Sequence, residues 1–282
     1  RGRSLYLNHS RMDGFCSELT IVCVDGHVLR HTVVKMNYPL GSDLIQAHLG
    51  GFMAAIEASL QPVAAVGIGI YVMAVLFGTK IPYDMMVNRG VEHIRAVYYN
   101  RKIVHMLAGG VGSLSVPILF SSLWYPAICG GLLMVFTWVG HLSGKRMYWF
   151  QTDMNQNDVK FAFMWWTSIS LIWWLVGDPW LAIMPSLFMA FGDGVTGVVR
   201  NAVIRKRSKS AIGNVFMFIV SAPMGWYVGM AGDPSIPLWG LISAGVATFV
   251  ERYEFGPIDD NILITIFATL VILIGVHTGP LL

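Results

Sequence analysis

The chain has 282 residues, of which 55% are hydrophobic and 12% charged, where a soluble domain carries roughly 25% charged side chains. That composition excludes a soluble globular protein and predicts an integral membrane protein embedded in the lipid bilayer. The net charge of +3 says little by its sign; the placement of the cations along the chain says more.

Residues 1–48 read as a peripheral N-terminal segment and residues 49–282 as a polytopic membrane domain. Val22 to Leu29 reads as two short strands around Asp25-Gly26, in a segment too short to bury a core of its own. No charged-then-apolar signal with a small-residue cleavage site opens the sequence, so insertion is expected to rely on the first membrane helix. Cys16, Cys23 and Cys129 are an odd set without metal-ligand spacing, and predict neither a disulfide framework nor a zinc site.

Apolar segments follow at Leu49–Phe77, Ile103–Leu123, Trp124–Val139, Phe161–Val176, Trp180–Val199, Ile212–Met230, Ile236–Val250 and Ile262–Val276. The fold class expected is all-α: a polytopic integral membrane helical bundle of seven or eight transmembrane helices. Met85 to Tyr99 alternates apolar and charged residues in a way that suits an interfacial helix before the second span. His141, Lys145 and Arg146, with Trp149 nearby, read as an interface anchor.

The connections alternate. Ser122-Leu123-Trp124, Gly177-Asp178-Pro179 and Gly232-Asp233-Pro234 are tight and hold no lysine or arginine, whereas 80–102, 143–160 and 200–209 are long and basic. Hairpin connectivity puts the basic set on one face, together with the acidic loop 251–261. By the positive-inside tendency that face is cytoplasmic, and a site is expected there.

Gly192-Asp193-Gly194-Val195-Thr196-Gly197 leads from an apolar stretch into Arg200, Arg205, Lys206, Arg207 and Lys209, then Ser210, Gly213 and Asn214. Glycines open backbone N–H groups to an anion, cations neutralise it, and a carboxylate can hold an accompanying metal. The bland alternatives are a structural pairing of Asp193 with Arg200, glycines that permit close helix packing, and a loop that only sets topology. Glu251, Glu254, Asp259, Asp260 and Asn261 cluster beside another span. Adjacent carboxylates repel unless they are solvated or joined by a divalent cation such as Mg2+; the cluster is otherwise a solvated loop, with Asp260-Asn261 able to cap a helix. Arg101, Lys102 and His105 enter the second span together, and Arg101 and His105 share a helix face. The histidine there suits a proton acceptor, a phosphate donor group or a packing residue.

In order, Arg101-Lys102 with His105 and Gly109, Gly192-Asp193, Lys209-Ser210 with Gly213, and Glu251 with Asp259-Asp260-Asn261 resemble the signature of the polyprenol kinases, a family that includes dolichol and phytol kinases and is related to CDP-diacylglycerol synthases. The resemblance covers 101–261. It implies a membrane transferase: a CTP-dependent kinase of lipid metabolism that phosphorylates a long-chain isoprenoid alcohol, such as a polyprenol, with magnesium or another divalent cation. On that reading Arg200 and Lys209 meet the nucleotide phosphates, Gly192, Gly194 and Gly213 allow close backbone approach, and Asp193 with Asp259 or Asp260 holds the metal. Either of the latter aspartates could instead take the alcohol proton. Arg101, Lys102, His105, Ser210, Asn214 and Asn261 complete the nucleotide and substrate contacts. Thr196 stands where the family carries a small residue, the family commonly carries a glycine near the position of Arg200, and Ile212 replaces a glutamate, so that Glu251, Asp259 or Asp260 would supply any role of that carboxylate. The partners implied are a nucleoside triphosphate and an isoprenoid alcohol, with no nucleic acid; a homo-oligomer is compatible with the sequence. The competing functions are a CDP-lipid-forming cytidylyltransferase acting on a phosphorylated lipid, and a transporter of an anionic solute.

Overall fold

A computed structural model describes residues 5–9, 19–25, 28–33, 41–153, 155–204, 211–256 and 258–281, with side chains from residue 59 onward except 202–204. The chain divides into two compact units, Arg1–Ser59 and Leu60–Leu282. The first holds an antiparallel sheet of β1 (Leu5–His9), β2 (Leu19–Asp25) and β3 (Val28–Val33), in that order. Strands β2 and β3 pair with Asp25 opposite Val28, the hairpin expected around Asp25-Gly26, and β1 adds a third strand with Leu5 opposite Cys23.

Helix α1 (Gly41–Gly78) begins in the first unit and ends in the second. There follow α2 (Lys80–Asn88), α3 (His93–Val104), α4 (Val111–Leu119), α5 (Trp124–Leu142), α6 (Asn157–Val176), α7 (Pro179–Leu187), α8 (Asp193–Ile204), α9 (Ala211–Ala231), α10 (Pro237–Val250) and α11 (Asp260–Thr278). Two π-helical segments interrupt this series. His105–Gly110 joins α3 to α4, and Phe188–Gly192 joins α7 to α8. With these joined pairs counted as single helices, seven described helices are long and apolar enough to cross a membrane. Helix α10 is apolar but has 14 residues, reaching about 21 Å of a hydrocarbon core roughly 30 Å thick. Every apolar segment expected from the sequence is helical, and the protein is a polytopic helical membrane protein.

Local chemistry sets the tight connections. Gly177 closes α6 in the left-handed conformation, φ 81°, which glycine adopts without a Cβ penalty. Asp178 then caps α7 by accepting a 2.7 Å hydrogen bond from the N–H of Leu181, and Pro179 stands at the first helical position. Helix α7 is the centre of the bundle, packed by α4, α6, α9 and α11. Leu181, Ile183, Met184 and Leu187 are fully buried, as a helix apolar on all sides must be. The outer helices turn Ile128, Leu132, Trp174 and Phe249 outward, a surface suited to lipid.

Two expectations are corrected. The stretch 85–99 is not one interfacial helix: α2 stops at Asn88, Gly90 takes φ 82°, and α3 starts at His93 as the first part of the second span. A left-handed glycine between the two halves breaks the helical path. His141 is not an interface anchor but is buried, with its Nε2 3.0 Å from Oδ1 of Asp158. Gln151 donates a 2.6 Å hydrogen bond to the other oxygen of Asp158, so the polar edge expected to face the membrane surface is spent inside the protein.

Helices α9 and α10 meet backbone to backbone at Gly225 and Gly240, where a Cβ on either would run into the carbonyl of the other, the close approach that small residues permit between membrane helices. Gly240→Val is therefore expected to lower the midpoint of thermal unfolding in detergent, by an overpacking cost of about 1–3 kcal/mol. Gly245→Val, whose Cβ would have only Phe218 at 3.8 Å, is expected to change it little. Equal midpoints for the two variants would contradict this packing.

Candidate functional site

At the end of the bundle that carries the long basic connections, α3, α8, the connection between α5 and α6 (Arg146, Gln151, Thr152 and Asn155), Glu251 with Glu254, and the head of α11 line a polar cavity of about 720 Å³. The two π-helical segments pack on each other just beneath it. Each adds a residue to a helical turn, and such insertions recur at functional sites. Here one begins at His105, three residues after Lys102, and the other ends immediately before Asp193.

Lys102 donates a 2.5 Å hydrogen bond to Oδ2 of Asp193, with both side chains buried. Arg200 makes a two-pronged pair with Glu251, Nη1 to Oε1 at 2.7 Å and Nη2 to Oε2 at 2.8 Å. The bidentate fork is the stronger geometry for a guanidinium and a carboxylate. Asn214 fastens this pair to its helix neighbours: it accepts from Arg200 at 3.0 Å and donates to the Thr248 carbonyl at 2.6 Å. Asp193 is thus paired with Lys102, and Arg200 with Glu251. The pairing of Asp193 with Arg200 read from their spacing is replaced by two longer-range pairs.

Asp193, Glu251 and Asp260 each offer a carboxylate oxygen within 4.8 Å of the others. Three hard oxygen donors fit magnesium, whose opposite ligands lie about 4 Å apart. Beside them Oδ1 of the buried Asn261 has no hydrogen-bond partner among the described residues, a further oxygen available to a ligand. The residues present therefore fit a divalent cation. Two of the three carboxylates, Asp193 and Glu251, are paired with the buried cations Lys102 and Arg200.

Asp259 has a different task. Its Oδ1 accepts a 3.2 Å hydrogen bond from the N–H of Ile262, capping α11, and Lys160 Nζ lies 3.6 Å from Oδ2. Burial, and then the neighbouring Asp260, push the Asp259 carboxyl above its ordinary range. Its oxygens are turned to Ile262 and Lys160, whereas Asp260 is the one of the two whose carboxylate lies with those of Asp193 and Glu251.

Each of the motif glycines has a close neighbour within the protein. Gly213 leaves room for the Arg200 guanidinium, Gly194 for Met106 at 2.8 Å, and Gly192 for Ser221 and Met217. Gly197, the last glycine of the 192–197 motif, is where Tyr98 and Lys102 lie against α8. Gly109 gives its space to the Phe161 ring. Arg101 lines the cavity and donates to Oδ1 of Asn155 at 3.2 Å, with Arg95 and Arg146 also in the wall. Ile212, where a glutamate was expected, is half-buried; Glu251 brings a carboxylate to Arg200 beside Gly213 instead. Lys209 and Ser210, with Arg205, Lys206 and Arg207, lie outside the described residues. The sequence reading missed Tyr98 and the pairing of Lys102 with Asp193. The one signal that could have found the latter is that a carboxylate inside one apolar segment and a lysine at the very edge of another both need partners.

No protein-family model, characterised protein or solved structure matches the chain.

Removing one member of a buried ion pair leaves an uncompensated charge, at a cost of about 3–5 kcal/mol, whereas removing both is far milder. Lys102→Met is therefore expected to lower thermal stability sharply, and Lys102→Met with Asp193→Asn to recover most of it. A double variant as unstable as the sum of the singles would show that the two groups do not act as a pair.

Proposed function

We propose that this protein is a lipid-alcohol kinase that transfers the γ-phosphoryl group of CTP to a long-chain isoprenoid alcohol at the cytoplasmic face of a membrane. The observation that carries the reading is convergence. Arg101-Lys102 with His105, Asp193, Glu251 and Asp260-Asn261, drawn from three of the four separated motifs that resemble the polyprenol kinases, line one polar cavity at the basic end of the bundle together with Arg200. Phosphoryl transfer asks mainly for positioning and charge neutralisation, and both are available in a cavity with fixed cations and grouped carboxylates.

Asp193, Glu251 and Asp260 would hold the divalent cation, which when bound neutralises phosphate charge and aligns the γ-phosphoryl group. Arg101, Arg95 and Arg146 offer guanidinium donors to the triphosphate from the cavity wall. Lys102 and Arg200 hold Asp193 and Glu251 in place. Asn261 presents its side-chain oxygen to nucleotide or alcohol. In the transfer the alcohol oxygen bonds to the γ-phosphorus, the bond from that phosphorus to the bridging oxygen breaks with its electron pair on CDP, and the hydroxyl proton passes to water in the cavity.

The test is incubation of the detergent-solubilised protein with magnesium, γ-labelled CTP and isoprenoid alcohols, following label into the organic phase. Labelled lipid is the expected result, with activity lowered at least ~100-fold in Asp260→Asn, as for loss of one electrostatic contact to the reacting group. Asp259→Asn, which keeps the helix cap, is expected to retain most activity. Label reaching a phosphorylated lipid from α-labelled CTP alone would point to a cytidylyltransferase and overturn the proposal.

A further inference from the structure

A second cavity, of about 440 Å³, lies between α1, the joined helix α3–α4, α5 and α6, and its walls are apolar: Val72, Leu76, Val104, Ala108, Leu133 and Phe161. Leu132 and Phe136 of α5 line it and are also exposed on the outside of the bundle. The cavity therefore opens sideways, at the depth where membrane-crossing helices meet lipid. Arg101 and His105 line both this cavity and the polar one, so the two spaces meet at these side chains.

His105 is 2% exposed, and neither ring nitrogen has a hydrogen-bond partner among the described residues. Its ring stacks on Phe161 at 3.7 Å between centroids, with planes 16° apart. Buried polar atoms are almost always satisfied, and leaving one unpaired is costly. The stacking fixes the ring but does nothing for its nitrogens. An unbonded imidazole at the mouth of an apolar groove, next to a polar cavity, lacks one thing: a ligand with a polar head and an aliphatic tail.

We propose that the apolar cavity receives the first part of a long aliphatic chain and that His105 accepts a hydrogen bond from the hydroxyl group at its end. The ligand class is a long-chain aliphatic alcohol. This rests on the kinase reading for its purpose but not for its evidence, which is the cavity and the unpaired ring. A single hydroxyl suits one ring-nitrogen acceptor in an apolar wall. The hydroxyl is thereby held at the boundary, within the joined space that leads to Lys102 and Asp193.

Native mass spectrometry of the full chain in detergent, with EDTA and no nucleotide, counts bound geranylgeraniol and its methyl ether, which lacks the donor O–H. The unaltered protein is expected to prefer the alcohol by about fivefold, the value of one hydrogen bond. His105→Phe keeps the stack on Phe161 and is expected to bind both ligands equally, while His105→Gln restores part of the preference. Gly112→Leu and Gly69→Leu fill the cavity from two helices. Gly69 has nothing within 4 Å of an added Cβ, and Gly112 has only Trp165 at 3.9 Å, so both should fold, and both are expected to weaken binding of alcohol and ether alike, about tenfold. Equal binding of alcohol and ether by the unaltered protein, or full binding in both cavity-filling variants, overturns the proposal. Because no nucleotide is present, alcohol binding without any kinase activity would defeat the kinase reading alone. Phosphorylation of alcohol by the two leucine variants at the unaltered rate and affinity would defeat this inference alone.

Discussion

Charge buried in an apolar surround has to be neutralised where it stands, and in this protein that constraint is met by two ion pairs at one end of the bundle. Lys102 and Asp193 belong to helices that are distant in sequence, and Arg200 of α8 meets Glu251 just past the end of α10. Four side chains that each favour water are held inside a membrane protein only because the helices bring opposite signs together. Much else follows from accommodating them. Gly197 is bare so that Lys102 and Tyr98 can lie against α8, Gly213 is bare so that Arg200 can pass, and Asn214 is spent bracing the pair it touches. The polar cavity is what remains between these fixed groups and the mouth of the bundle.

A second consequence is the abrupt change of chemistry within one helix. Helix α3 carries Arg101 and Lys102 in its last turn, and from His105 onward the chain widens into a π-helical segment ending in paired glycines. The glycines admit the rings of Phe161 and Phe191, and so the wall turns from cationic to aromatic within two turns. That gives the polar and apolar cavities a common boundary. A reaction between a charged, water-soluble donor and a membrane-borne acceptor needs such a boundary, because neither reactant has to leave its own medium.

Much of this was legible in the sequence. Apolar runs of 15 or more residues announce membrane helices, and the contrast between the loop at Gly177-Asp178 and the basic stretch 143–160 announces which end carries the site. Asp193, Glu251 and Asp260 drew notice as carboxylates next to apolar segments, and the structure places them together. What the sequence could not disclose is which charge meets which. Spacing along one helix favours Asp193 with Arg200, while three-dimensional packing gives each a partner from elsewhere. The division of labour between Asp259 and Asp260 is likewise invisible until the start of α11 is known, since only then does one become a cap. Nor does a periodic pattern reveal a single inserted residue, so both π-helical segments, and with them the setting of His105, come from the structure alone. His141 misled for a related reason: beside Lys145, Arg146 and Trp149 it reads as a surface group, and its partner Asp158 is brought to it only by the turn of the 143–156 connection.

The central claim is that the polar cavity is built for a nucleoside triphosphate carried with a divalent cation. Its most direct test is calorimetric titration of the detergent-solubilised protein with a non-hydrolysable CTP analogue, with and without magnesium. The account predicts saturable binding that requires magnesium and disappears in Asp260→Asn measured beside an intact thermal transition. Binding of equal strength without the metal, or no binding at millimolar analogue, would contradict it.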